Sequence, residues 1–127
     1  MAGIDEARAI IERARAKAKE IGVPMAIAVV DAGGHLVALE RMDGAPFTAP
    51  EIAWGKAYTA AAWKAPSAAL AERIGKDPAF SAAVSAVTGG RFTPRQGALP
   101  LPGGGAVGAS GGSSQQDEDV SRAGIGG

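Results

Sequence analysis

The run MAIAVVD at residues 25–31 is the feature that most constrains how this chain can fold. It is apolar from Met25 to Val30 and partly β-branched. No polar residue alternates with the apolar ones, so a strand here has no face to give to water. Other elements must cover it on both sides. DAGG follows, and its two glycines can take positive φ at no steric cost. HLVALERM then returns as a second strand, which makes the stretch a hairpin with a short loop.

The flanking sequence supplies the covering elements. Residues 4–21 place Ile4, Ala7, Ile11, Ala14, Ala18 and Ile21 at helical spacing, with Glu6, Arg8, Glu12, Arg13, Lys17 and Lys19 on the other face. Gly22 and Pro24 end this helix. After the loop DGAPFTAP, Thr48 is expected to cap a second helix, EIAWGKAYTAAAWKA, with Glu51 at capping-box spacing. Gly55 costs ~1 kcal/mol in mid-helix, so another backbone or a ligand is expected close to it. Pro66 breaks this helix, Ser67 is expected to cap SAALAERIGK, and a short helix follows from Asp77 to Ala86. The last third is rich in Gly, Pro and Ser. Within it GALPL and AVGA read as Gly-bounded strands. SGGSSQQDEDVSRAGI reads as a glycine-rich loop entering a helix capped by Ser113 or Ser114.

Composition excludes several classes. With 13 basic and 13 acidic side chains in 127 residues, no net field recruits nucleic acid or an anionic membrane. No cysteine is present, so disulfides, thiolate nucleophiles and Cys-built zinc sites are out. No apolar run approaches the ~20 residues of a membrane span. The start MAGIDEARAI has no basic segment followed by an apolar one, as a secretory signal would. A cytoplasmic protein is expected, with no nucleic-acid or membrane partner.

The order MAIAVVDAGGHLVALERMDGA, EIAWGKAYTAAAW, GALPL and VGASGGSSQQDEDVSRAGI resembles the family called GlcG/HbpS-like, haem-degrading-domain or DUF336. The C-terminal domain of PduO-type proteins belongs to the same family. The likeness covers nearly the whole chain. It implies an α+β, profilin-like single domain over residues 1–127, with an antiparallel sheet flanked by helices. It also implies a homo-oligomer. Some members are described as binding haem or taking part in haem degradation. The family's last strand reads close to VGAIGVSGG, whereas here Val107-Gly108-Ala109-Ser110-Gly111-Gly112 is shorter by about three residues. Either the sheet edge is remodelled or the glycines at 103–105 shift into the strand. The final helix is expected to be short.

Each candidate site residue has a functional and a plain structural reading. His35, the only histidine, can ligate iron or move a proton, but a histidine at a hairpin turn is more often simply exposed. Arg41 and Met42, with Asp43, fall in the part of the hairpin that carries the resemblance. They either line a pocket shared with the start of the Glu51 helix and the Gly112 loop, or form a solvated strand end. Glu51 is an acid/base candidate or only a cap. Lys56 lies in an Ala-rich helix, where a desolvated ammonium of lowered pKa can act as base or anion anchor. Its structural reading is a stem lying over apolar surface. Thr59 can offer a hydroxyl to a bound group. Gly111, Gly112 and Ser113 lead into a helix N-terminus, whose N–H groups suit a carboxylate, including a haem propionate. Trp54 and Trp63, 2.5 turns apart, are expected on opposite sides, one of them at a subunit contact.

Two function classes remain open. One is a small-molecule-binding protein of the GlcG/HbpS type. It takes haem or a carboxylate-bearing metabolite in a pocket between the 41–59 region and the 108–114 loop, with His35, Met42, Tyr58 or Thr59 as axial ligand. The other is a small cofactor-independent hydrolase, lyase or isomerase acting on an organic acid, with Glu51 and Lys56 as acid and base. A plainer third class is an oligomeric accessory protein. No bound metal ion is expected.

Overall fold

The computed structural model describes residues 3–126. The expected domain span also includes Met1, Ala2 and Gly127, which lie outside the described residues. The elements are α1 (Ile4–Ile21), β1 (Ala26–Val30), β2 (Leu36–Arg41), α2 (Ala49–Trp63), α3 (Ser67–Arg73), α4 (Pro78–Val87), β3 (Ala98–Pro100), β4 (Ala106–Ser110) and α5 (Ser114–Ile125). The four strands form one antiparallel sheet in the order β2-β1-β4-β3. This is the α+β arrangement of an antiparallel sheet flanked by helices that the sequence predicts.

β1 lies in the interior of the sheet, and all five of its residues are buried. Ile27 and Val29, with Met25 just before the strand, pack with Ile10, Ile11 and Ala14 of α1 and Val120 of α5. Ala26, Ala28 and Val30 face the other way, against the alanines of α2. Both faces of β1 are therefore dry, as its unbroken apolar run requires. The α1 and α5 side is filled by large aliphatic side chains, whereas the α2 side is filled mainly by alanine.

That second layer works through close approach. A Cβ built on Gly108 of β4 would lie 2.4 Å from the Ala53 carbonyl oxygen and 2.9 Å from the Ala57 nitrogen. Gly55 does the same on the outer side of α2, where a Cβ would lie 2.1 Å from Thr93 Oγ1 and 2.9 Å from the Arg91 carbonyl oxygen. The close backbone expected at Gly55 is therefore the 91–93 segment. Thr59 fastens that segment: its hydroxyl donates to the Gly55 carbonyl at 2.8 Å and accepts from the Thr93 N–H at 2.8 Å.

β4 pairs with β1 without a break, from Ala26 opposite Ser110 to Val30 opposite Ala106. The glycines at 103–105 do not enter the strand. All three have positive φ and form the turn between β3 and β4. The closing helix α5 has 12 residues, an ordinary length for a helix in a globular protein.

Two expected caps take other forms. Thr48 stands at the N-cap of α2 but has helical backbone angles, and its side chain makes no capping bond. The chain is already turning there, through the Ala49 N–H to Pro46 carbonyl bond, so the hydroxyl is not aimed at the first turn. The N-cap of α3 is Pro66. Ser67 lies inside the helix, and its hydroxyl accepts from the Ala98 N–H at 2.9 Å, tying α3 to β3. By contrast, Ser113 caps α5 in a complete capping box with Gln116.

Gly108→Ala is expected to lower the unfolding free energy by about 1–3 kcal/mol, because the added methyl must push α2 off the sheet. Urea unfolding followed by tryptophan fluorescence checks this, and an unchanged midpoint would contradict the close-approach account.

Candidate functional site

The close docking of α2 carries Lys56 into the interior beside the end of β4. Lys56 is 5% exposed, and it meets Asp117 of the first turn of α5, which is 3% exposed. Lys56 Nζ donates to Asp117 Oδ2 at 2.9 Å and to the Ala109 carbonyl at 3.1 Å. Asp117 Oδ1 accepts the Gly112 N–H at 2.9 Å. Gly97 closes over the pair with φ +141°, and a Cβ there would lie 2.8 Å from Lys56 Nζ. Ser121 holds Gly97 in place by donating to its carbonyl at 2.7 Å. Burial pushes the Asp117 carboxyl above its ordinary value, against the opposing pull of the Lys56 ammonium and the Gly112 N–H.

This pair borders a cleft of about 380 Å³. α2 contributes Ile52 and Lys56, and the segment before β3 contributes Thr93, Arg95 and Gln96. The turn from β4 into α5 adds Ser110, Gly112 and Ser114. An ammonium has three N–H donors, of which the protein engages two here. Arg95 is exposed at the cleft, so a buried cation and a surface cation face one small space. Among the described residues, no group of three or more His, Cys, Asp or Glu side chains is arranged to hold a metal ion.

The other residues singled out from the sequence are distributed differently. Gly112 lies in the cleft, but its N–H already serves Asp117. The Ser113 N–H donates to Gln116 Oε1 at 2.9 Å, and the Ser113 hydroxyl accepts from the Gln116 N–H. The loop therefore spends two of its anion-binding groups on its own side chains. Gly111 has φ +143° and lets the turn approach the Pro24 carbonyl, which a Cβ would meet at 2.6 Å. Arg41 and Met42 line a separate depression beside α1, with Arg15, Lys19, Glu40 and Asp43. Met42 packs on the α1 core, where its sulfur lies 3.4 Å from the Met25 nitrogen. Glu51 lines a third depression with Trp54 and Arg91. Thr59 is fully buried, and its hydroxyl is occupied in holding Thr93. Tyr58 covers Gly34 of the hairpin turn. His35 is exposed, with Nδ1 3.4 Å from Asp31 Oδ1.

Trp54 and Trp63 both meet the segment that follows α4. The Arg91 guanidinium lies 3.8 Å from the centre of the Trp54 ring, and Phe92 packs on Trp63 with ring centres 5.2 Å apart. The residues that sequence reading passed over are Asp117, as the partner of Lys56, and Arg95. Asp117 reads locally as first-turn charge on a helix. Its position in the sequence carries no sign of a partner 61 residues away.

The chain is similar in sequence and in fold to known proteins. The family described as haem degrading protein HbpS-like matches residues 3–126. An uncharacterised 15.0 kDa protein from the dhaT-dhaS intergenic region of Citrobacter freundii is 33% identical over 121 residues, covering 87% of this chain and 80% of that protein. The corrinoid adenosyltransferase PduO of Citrobacter freundii is 33% identical over 116 residues, covering 86% of this chain. The match spans only 33% of PduO. Among solved structures, Klebsiella pneumoniae ORFY, of the DUF336 family, superposes with TM-score 0.88 at 27% identity, covering 98% of this chain and 88% of that one. The complex of PduOC with heme superposes with TM-score 0.82 at 28% identity, covering 94% and 88%.

The ion pair makes stability depend on pH in a defined direction. Asp117 titrates above its ordinary value in the folded state, so its contribution is fully present below the unfolded value and is lost as pH rises through the folded one. Both effects of Lys56 on this carboxyl oppose the rise. Lys56→Met is therefore expected to push the Asp117 carboxyl further up. Between about pH 4 and 7 the variant is expected to lose stability more steeply than the wild type. Urea unfolding across that range tests it, and parallel profiles would contradict it.

Proposed function

The chain belongs to the HbpS-like family, and from that membership and the cleft beside Lys56 we propose that it binds a small carboxylate-bearing molecule, with haem as the first guest to test. The observation that carries the proposal is the convergence of Lys56, Arg95 and Ser110 on one space with the Ser114 start of α5. A carboxylate there meets the free N–H of an ammonium already paired with Asp117, a guanidinium, a hydroxyl and the positive end of a helix. The volume, about 380 Å³, lies within the range of small-molecule sites. A structural relative, PduOC, is known in complex with heme.

Haem fits this cleft in charge but not in ligation. Its two propionates match Arg95 and Lys56. None of the cleft-lining residues is His, Met, Cys or Tyr, and the Lys56 amine is tied to Asp117. The donor set supports recognition through the carboxylates and supplies no ligand to iron. The enzymatic reading has less support, because Glu51 and Lys56 line different depressions.

Haemin and iron-free protoporphyrin are therefore expected to bind one-to-one with affinities within about threefold of each other. Arg95→Ala is expected to weaken both by about tenfold, the loss of one partly exposed charge-assisted contact. Absorbance and fluorescence titrations read both. Haemin binding far tighter than protoporphyrin would replace this account with direct ligation of iron elsewhere, and failure of both to saturate would end the proposal.

We also propose that the chain is a homo-oligomer. α4 (PAFSAAVSAV) carries no charged side chain, yet none of its residues is buried. Phe80 is 52% exposed and Val87 84%. A helix without a charged face is normally covered. Replacing both residues by glutamate is expected to lower the mass measured by light scattering without loss of helical signal. A wild type that is monomeric at all concentrations would refute this.

A further inference from the structure

We propose that a second site, at the C-terminal end of α2 and apart from the Lys56 cleft, takes an apolar molecule bearing a single anionic group. A groove of about 650 Å³ lies between the C-terminal end of α2 and the β3–β4 turn. Its walls are Ala61 from α2, Leu101 and its two flanking prolines, the glycines of the turn, and Ile125 from α5. Among these lining residues only one side chain is charged, that of Lys64. The volume lies within the ~300–1,000 Å³ of small-molecule sites, and an apolar lining with one placed cation is the pattern of a site for an amphiphilic anion.

The groove is built in advance of any guest. Pro100 and Pro102 fix the backbone on either side of Leu101. The Leu101 N–H donates to the Gly105 carbonyl at 2.9 Å, and the Gly104 N–H to the Leu101 carbonyl at 3.2 Å. Gly105 packs so closely that a Cβ would lie 2.5 Å from the Val30 carbonyl oxygen. Such a wall loses little freedom when it is occupied.

The cation is placed at a conformational cost. Lys64 is the only non-glycine residue with positive φ among the described residues, at 54°. It occupies the C-cap of α2, where glycine is the usual residue. No ion pair or side-chain hydrogen bond engages Lys64 among the described residues, so its charge is available to a guest. Charge complementarity selects one negative group on an otherwise apolar body. This separates the groove from the Lys56 cleft, which is polar and holds Arg95 beside the Lys56–Asp117 pair.

The test uses decanoate and its uncharged counterpart decanol as probes, by titration calorimetry on the full chain. Decanoate is expected to bind the wild type one-to-one and about tenfold tighter than decanol. Lys64→Gly relieves the left-handed strain at the C-cap, so its melting temperature should hold or rise. In this variant decanoate is expected to fall to the level of decanol. Arg95→Ala is expected to leave both affinities unchanged. Equal binding of the two probes to the wild type would overturn the proposal. So would a loss of decanoate binding that follows Arg95→Ala instead of Lys64→Gly, since the probe would then occupy the Lys56 cleft. Absence of saturable binding would also overturn it and leave the groove to a second copy of the chain.

Discussion

The rest of the structure depends on how closely α2 lies against β1 and β4. Where Gly108 faces the carbonyl of Ala53, no side chain separates helix from strand. Alanines at 53, 57, 60 and 61 keep the layer thin along the rest of the helix. A large residue at any of these positions would hold α2 away from the sheet, because well-packed interiors accept added volume only by moving backbone. At this separation the Lys56 side chain reaches the Ala109 carbonyl near the end of β4 and Asp117 of α5. The outer side of α2 is closed by the same device, with Gly55 admitting the 91–93 segment.

The buried ion pair then organises the space around it. Asp117 ties the first turn of α5 to α2 and, through the Gly112 N–H, to the turn that leaves β4. Gly97 can sit over the pair only because it lacks a side chain, and Ser121 anchors it from α5. α2, the Gly97 segment and the stretch from β4 into α5 therefore meet at one pair of charges. The raised carboxyl of Asp117 shows that burial outweighs the compensation it receives. Such a pair is weak evidence for stability and is better understood as a positioning device. It holds Lys56 where its ammonium borders the cleft.

Two places along α2 carry opposite chemistry. At one, Lys56, Arg95 and the start of α5 make a polar space. At the other, prolines, glycines and aliphatic side chains make an apolar groove with Lys64 at its edge. Both belong to an HbpS-like fold whose relatives include a haem complex. The central strands β1 and β4 are buried on both faces, so both spaces lie at the margins of the helical layer, where loops supply the polar groups.

The sequence by itself determined the local elements and their order. α1 is legible in its periodicity and its Gly22 terminus, and the hairpin in an unbroken apolar run followed by Asp-Ala-Gly-Gly. A cap at Ser113 or Ser114 is legible, and the structure takes Ser113, in a capping box with Gln116. The double-sided burial of β1 and the crowding at Gly55 also follow from residue type alone. Each of these signals is contained within a few consecutive residues. Only the tertiary structure decided which distant groups meet. It paired Lys56 with Asp117, turned the Ser67 hydroxyl to β3, and set Arg41 and Met42 in a depression away from Lys56. It also used the N–H groups of Gly112 and Ser113 internally, leaving less of that loop for an anion than its composition suggests. The physical reason is that these contacts depend on strand register and on the separation of α2 from the sheet. Those quantities are set by the packing of the whole layer, and no short stretch of sequence records them.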